Sequence, residues 1–568
     1  MLNYTVRPKC LPHEWEITLS FIKNNTLPLE ISLPNWVPGS YLVRDFSRHI
    51  TSLKAFCNKQ PAVLQQKSKN IWTADACEGE WQICYTVYAF DTSVRGAFLN
   101  TERGFFDGAC LFLRISGYET LPHRLTFEHL PERWQTATSM PQIAPHTFQT
   151  ASYAEFIDHP FEFGQIEFLE FEAAGIAHRI ALSGIYPEFD RNRLINDVQK
   201  ICAAELAAFP APAPFTEYLF LLHLGDNIYG GLEHLSSTAL QSDRHSLPAA
   251  GMEEADDAYT QLLGLFSHEY FHAWNVKSIK PAAFAPYDLN QECYTEQLWA
   301  FEGITSYYDD LFLARSGVIA PEAYLKLLGQ LISRIRQTPG RLKQSLAESS
   351  FTAWNKFYKQ DENSSNAIVS YYQKGALAAL CLDLTIRRQS NGKTSLDNVM
   401  RRLYQDWLEH GTGIPEGGWE ARCQEITGLN LEAYFQTALS STDELPLENC
   451  LQSAGITLEW QQPNAAAPIG ARFTQHADHA VLTQVLNSSS AENGGLCPHD
   501  KIIALNGYAC TDLAAQWRKL AVGDSAAVHF FRNGILRQTV LTAQAAEADT
   551  AALHIADQRL FENWLFNH

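Results

Sequence analysis

Two histidines four residues apart in an otherwise apolar stretch, His268 and His272, constrain this chain more than any other feature. Leu262, Leu263, Leu265 and Phe266 precede them, and Tyr270, Phe271, Ala273 and Trp274 lie within and after the pair. On a helix, residues i and i+4 share a face about one turn apart, so both imidazoles reach one point. Burying such a pair is costly unless something binds the ring nitrogens. Glu269 brings a carboxylate to the same place. This is the H-E-x-x-H pattern, in which two histidines bind zinc and the glutamate handles a water. It predicts a helix from about Glu253 to Asn275. A catalytic zinc also needs a third protein ligand and one open position. Downstream, Leu298 to Tyr308 carries Glu302 in a predicted helix, followed by Gly303, which permits close packing. Taken alone, that pair fits a solvated helix residue equally well.

The rest of the chain sets the frame. At 568 residues it exceeds one ordinary core. Alternating runs such as Trp15 to Leu19 and Trp81 to Val87 predict a β-rich, sandwich-like region over 1–168. Helical patterns near 194–208, 297–315, 321–336, 370–388, 394–410 and 431–440 predict a mainly helical segment, 169–455, with the strand Tyr218 to Leu224 at its front. Short strands return over 456–545, and 546–568 is expected as a C-terminal tail. The fold class expected is multidomain α+β. The net charge of -20 argues against nucleic acid or an anionic membrane as partner. No basic-then-apolar leader opens the chain and no apolar run is long enough to span a bilayer. The twelve cysteines form no CxxC pair and are expected to be reduced, which favours a cytoplasmic location.

The segment from His268 to Pro281, with Trp299 to Tyr308 and Gly230 to His234, resembles the M61 family of glycyl aminopeptidases. Leu33 to His49 and Tyr153 to Pro160 resemble it too, so the likeness spans essentially the whole chain. It implies a thermolysin-like gluzincin domain holding one Zn²⁺ per chain through His268, His272 and Glu302, with Glu269 as the base that takes a proton from the water. Asp309 and Asp310, about two turns beyond Glu302, are candidates to orient a ligating histidine, since the position four after Glu302 is Ser306. Tyr371-Tyr372-Gln373-Lys374-Gly375 resembles the Y-x-K-G segment of the related M1 enzymes and points to Tyr372 as the oxyanion donor. Gly230-Gly231-Leu232-Glu233-His234 resembles their G-x-M-E-N segment, which makes Glu233 the anchor for a substrate α-amine, with Gly230 and Gly231 beside the substrate backbone. The role of His234 is open. Arg44, Asp45 and His49 read as a structural ion-pair cluster, with a place in the substrate cleft as the alternative. Ser489 to Gly507 resembles the central segment of a bacterial PDZ domain, with His499 where glycine is common.

The activity implied is removal of small N-terminal residues, Gly or Ala, from peptides with a free N-terminus, with a peptide or C-terminus as the partner of the PDZ-like module. The alternatives are a PDZ-assisted zinc endopeptidase acting on unfolded proteins and a non-catalytic PDZ adaptor.

Overall fold

Strands form where apolar side chains alternate. In Glu14–Lys23 the residues Trp15, Ile17, Leu19 and Phe21 are buried while their neighbours are not, and Gly79–Tyr88, paired antiparallel with it, buries Trp81, Ile83, Tyr85 and Val87. These two strands lie in the middle of an eight-stranded sheet in the computed structural model, which describes residues 1–462 and 464–566. Pro463, and the last two positions of the expected tail, lie outside the described residues.

The chain divides into two compact units. The first comprises Met1–Tyr294, Tyr308–Ile319 and Met400–Pro415. It holds the N-terminal β region and a five-stranded sheet whose strands we label β1 (Glu167–Ala173), β2 (Ile176–Gly184), β3 (Glu217–Gly225), β4 (Gly230–Glu233) and β5 (Ser237–Asp243). The order is β1-β2-β3-β5-β4, so β4 is an edge. Helix α1 (Arg191–Ala208) crosses between β2 and β3, and α2 (Asp257–Phe271) follows β5. One apolar core explains why the 1–168 region and this sheet form a single unit: Ala181, Leu219, Leu221, Leu232 and Ala239 pack in the same cluster as Trp15, Trp81 and Phe106.

The second unit comprises Thr295–Tyr307, Ala320–Val399 and Glu416–His568. A π-helical turn, Trp299–Gly303, leads into α3 (Ile304–Arg315), whose later turns belong to the first unit. Helices α4 (Pro321–Arg336) and α5 (Gln373–Gln389) follow. The C-terminal sheet, built on Ala471–Gln475, Ala480–Val485, Lys501–Leu505, Ser525–Arg532 and Ile535–Thr542, has its own core around Leu482, Ile502, Trp517 and Val528. Within the stretch expected as a tail, Thr550–Ile555 pairs with Ile456–Gln461, and the helix Gln558–Leu565 buries Phe561, Trp564 and Leu565 at helical spacing.

The cysteine expectation needs correction. Cys57 and Cys77 are joined by a disulfide, and ten cysteines are unpaired. Cys57 ends the strand Ile50–Cys57 and Cys77 lies just before Gly79–Tyr88, the strand that pairs with it. The antiparallel pairing brings together two residues whose separation of 20 in sequence carries no motif.

Candidate active site

Helix α2 starts where Asp256 accepts from the backbone N–H of Tyr259 at 2.8 Å. It buries Leu262, Leu263, Phe266, Tyr270 and Phe271, leaving His268, Glu269 and His272 near its C-terminal end. The Nδ1 of His272 donates to the carbonyl of Asn275 at 2.8 Å, and the Nδ1 of His268 lies 2.9 Å from Asp309 Oδ2. A carbonyl or carboxylate can only accept, so both rings carry their proton on Nδ1 and present lone pairs at Nε2. Those two Nε2 atoms are 3.1 Å apart. Two lone pairs cannot bond one another, and a shared cation satisfies both. The donor set therefore fits a metal ion of the zinc class. Of the two carboxylates the sequence offered, Asp309 is the one that orients His268. Behind it, burial and the Asp309 charge push the neighbouring Asp310 carboxyl up to about 8.

Glu269 is buried, and its Oε2 has no hydrogen-bond partner. Burial pushes its carboxyl up to about 7, against the opposing pull of His268 and His272. Its carboxylate lies against the edge strand β4: a Cβ at Gly231 would stand 1.9 Å from Oε1, so no side chain fits there. Two residues on, Glu233 is 4% exposed and its carboxylate accepts no hydrogen bond from any described residue. Glu233, Glu269 and His272 each place a ligand-type atom within 4.8 Å of the others. Gly39, at φ +90°, abuts Glu233, and its Cβ would lie 2.4 Å from the carboxylate oxygens. The Leu33 to Gly39 run is held by residues 288–291: Trp36 Nε1 donates to Gln291 O at 2.8 Å and Asn35 Nδ2 to Asn290 O at 2.7 Å. In the cluster expected to be structural, Arg44 donates to Ser40 Oγ at 3.0 Å and Asp45 pairs with Lys69 at 2.6 Å.

In the second unit, Glu302 is 2% exposed within the π-helical turn, a feature that often marks functional positions. Gly303 does allow close packing, since a Cβ there would come 2.6 Å from Gly375 Cα. Tyr371 is fully buried, and burial, with Tyr358 and Glu302 nearby, raises its phenol well above the usual range. Tyr372 is half-buried, with its hydroxyl 3.2 Å from that of Tyr358.

Residues 261–378 match the M61 glycyl aminopeptidase family and residues 3–165 match the peptidase M61 N-terminal domain. A solved structure, described as an aminopeptidase N family protein from Idiomarina loihiensis, is 38% identical, with 100% of each chain covered and a TM-score of 0.96. The chain belongs to the M61 family. This M61 protein is accordingly a metallopeptidase. Yeast LTA4 hydrolase, solved with bestatin, shares 12% identity over 78% of the M61 chain and 68% of its own length, with a TM-score of 0.50, which is a likeness of fold. No curated protein matches the chain.

Several residues around this site were given no role by the sequence. His234 Nδ1 lies 3.2 Å from Asp158 Oδ1, and Lys277 Nζ donates to the same oxygen at 2.6 Å. Burial alone would raise the Asp158 carboxyl, but Lys277 and His234 more than reverse this and hold it well below the usual range. On the other side of His234, Asp107 is fully buried, and burial outweighs His234 to push it up to about 6. Arg95 reaches the edge strand and donates from Nη2 to Gly231 O at 2.7 Å. Tyr153 to Pro160 had been read only as a family-like run, and Asp158 lies within it.

Proposed function

We propose that this M61 metallopeptidase is a zinc aminopeptidase that removes small N-terminal residues, Gly or Ala, from peptides. The observation that carries this reading is Glu233, 4% exposed, accepting no hydrogen bond from any described residue, and set beside Glu269 and His272. An unpaired buried carboxylate is costly. A peptide's cationic α-amine supplies the missing charge and hydrogen bonds, which places the first peptide bond at Glu269. The backbone at Gly39 closes against the Glu233 carboxylate and leaves little room beyond the amine.

His268, His272 and Glu302 are the proposed ligands. When bound, zinc supplies Lewis acidity toward the attacking water and the scissile carbonyl. Asp309 and the Asn275 carbonyl hold the two imidazoles in the tautomer that ligation needs. Glu269 takes a proton from the attacking water and returns it to the leaving amine, a task suited to a carboxyl raised by burial. Tyr372 is the proposed oxyanion donor. Gly230 and Gly231, without side chains, are proposed to lie beside the substrate backbone.

The C-terminal sheet is proposed to be PDZ-like, with a peptide or C-terminus as ligand. His499 has φ +70°, the left-handed conformation for which glycine is the common residue at that point of the motif. Arg532 fixes the adjacent Asp500 at 2.8 and 2.7 Å. A cytoplasmic location is proposed on the ten unpaired cysteines, seven of them buried.

The test compares Gly- and Ala-initiated peptides with their N-acetylated forms. The proposal expects the free peptides to be cleaved and the acetylated ones to be turned over at least about a hundredfold more slowly, as loss of a charge-assisted contact predicts. Equal turnover of both would reject the aminopeptidase reading.

A further inference from the structure

Arg95, a cation at the β4 edge, is given no role in the chemistry above. Arg95 comes from the loop Asp91 to Gly96, which docks on the β4–β5 hairpin partly through a bond from Gln241 Nε2 to the Thr92 carbonyl. One guanidinium nitrogen, Nη2, is bound to Gly231 O. Nε is buried without a partner, Nη1 donates to no described residue, and no carboxylate of a described residue lies within 4.0 Å. Nη1 lies about van der Waals distance, 3.4 Å, from where a Gly230 Cβ would be. An arginine that is partly buried yet pairs with no acid among the described residues, while its charge reaches the Glu269 carboxyl, is out of keeping with a structural ion pair.

Position along the strand gives the ligand. Gly231 and Glu233 are alternate residues of β4, so they lie roughly 7 Å apart and face the same way. Glu233 takes the amine, and Glu269 rests against Gly231. A peptide laid along this edge from Glu233 past the scissile bond passes the Gly231 carbonyl, where Arg95 Nη2 is bound. An extended residue spans about 3.5 Å, so the carboxylate of a dipeptide lies about 7 Å from its amine. Resting on the aminopeptidase reading, we propose that Arg95 binds the free α-carboxylate of short peptide substrates, dipeptides above all. Its Nη1, which donates to no described residue, is the group that meets the carboxylate.

The experiment measures kcat/KM for Ala-Ala and for its C-terminal amide, Ala-Ala-NH2, with the wild type, Arg95→Ala and Arg95→Lys, all zinc-loaded. The expected wild-type ratio of acid to amide is roughly tenfold or more, carried by KM. Arg95→Ala brings the ratio to about one, whatever it does to turnover as a whole, and Arg95→Lys restores part of it. A wild-type ratio near one, or a ratio that Arg95→Ala leaves intact, overturns the proposal. Alanine p-nitroanilide, which has no carboxylate, separates the two readings. If the wild type does not cleave it, the aminopeptidase reading itself has failed. If it does while the acid-to-amide ratio is one, only the role of Arg95 has.

Discussion

At the scale of single residues, the site is defined by groups that cannot be changed without moving a neighbour. Gly231→Ala puts a methyl group where Glu269 Oε1 now lies, so the base must turn away. We predict a loss of at least about a hundredfold in kcat with zinc content retained, since displaced catalytic groups cost that much; unaltered kcat would mean that Glu269 is not where the proton is handled. Glu233→Gln keeps the shape of the proposed anchor and removes its charge. It should lower kcat/KM for a Gly- or Ala-initiated substrate by roughly ten- to a hundredfold, measured as initial rates. Asp107 gives a pH prediction. Its carboxyl is raised to about 6 by burial, above its unfolded value, so the native state binds the proton more tightly than the unfolded one. Its contribution is therefore least unfavourable below about pH 4 and worsens as pH rises through 6. Asp107→Asn should raise the melting temperature relative to wild type above pH 6, by the equivalent of up to about 3 kcal/mol, and the difference should vanish near pH 4. Thermal melts of both proteins at pH 4.5 and 7.5 measure it.

At the scale of elements, the helices were largely legible. The expected helices near 194–208 and 321–336 are Arg191–Ala208 and Pro321–Arg336, because their apolar residues recur at helical spacing over several turns. The metal helix is shorter at both ends than the apolar run implied. Asp256 caps its start, and the chain leaves helical geometry after His272 so that the Asn275 carbonyl can turn back to that histidine. Pairings across long separations were not legible. Arg95 meets Gly231 across 136 positions and His234 meets Asp158 across 76, and no local pattern encodes either. The choice between Asp309 and Asp310 also depended on which way α3 turns. The disulfide belongs to the same class, since it follows from strand register. Thiol titration of denatured protein prepared without reductant should find ten free thiols rather than twelve; twelve would return the chain to the fully reduced state read from its sequence.

At the scale of the whole molecule, a chain of net charge -20 coexists with a site built on carboxylates, and both favour a substrate that brings positive charge. The first unit carries the histidine pair, the proposed base Glu269 and the proposed amine anchor Glu233 on one helix and one edge strand, braced by the N-terminal β region through residues 35–39. The central claim is that His268, His272 and Glu302 hold one catalytic zinc and that Glu269 serves the reaction without holding the metal. The most direct test measures zinc content and peptide hydrolysis together for Glu269→Gln and wild type. The account predicts one zinc per chain in both, with hydrolysis lost in the variant. Hydrolysis that survives in Glu269→Gln, or zinc that leaves with the carboxylate, would contradict it.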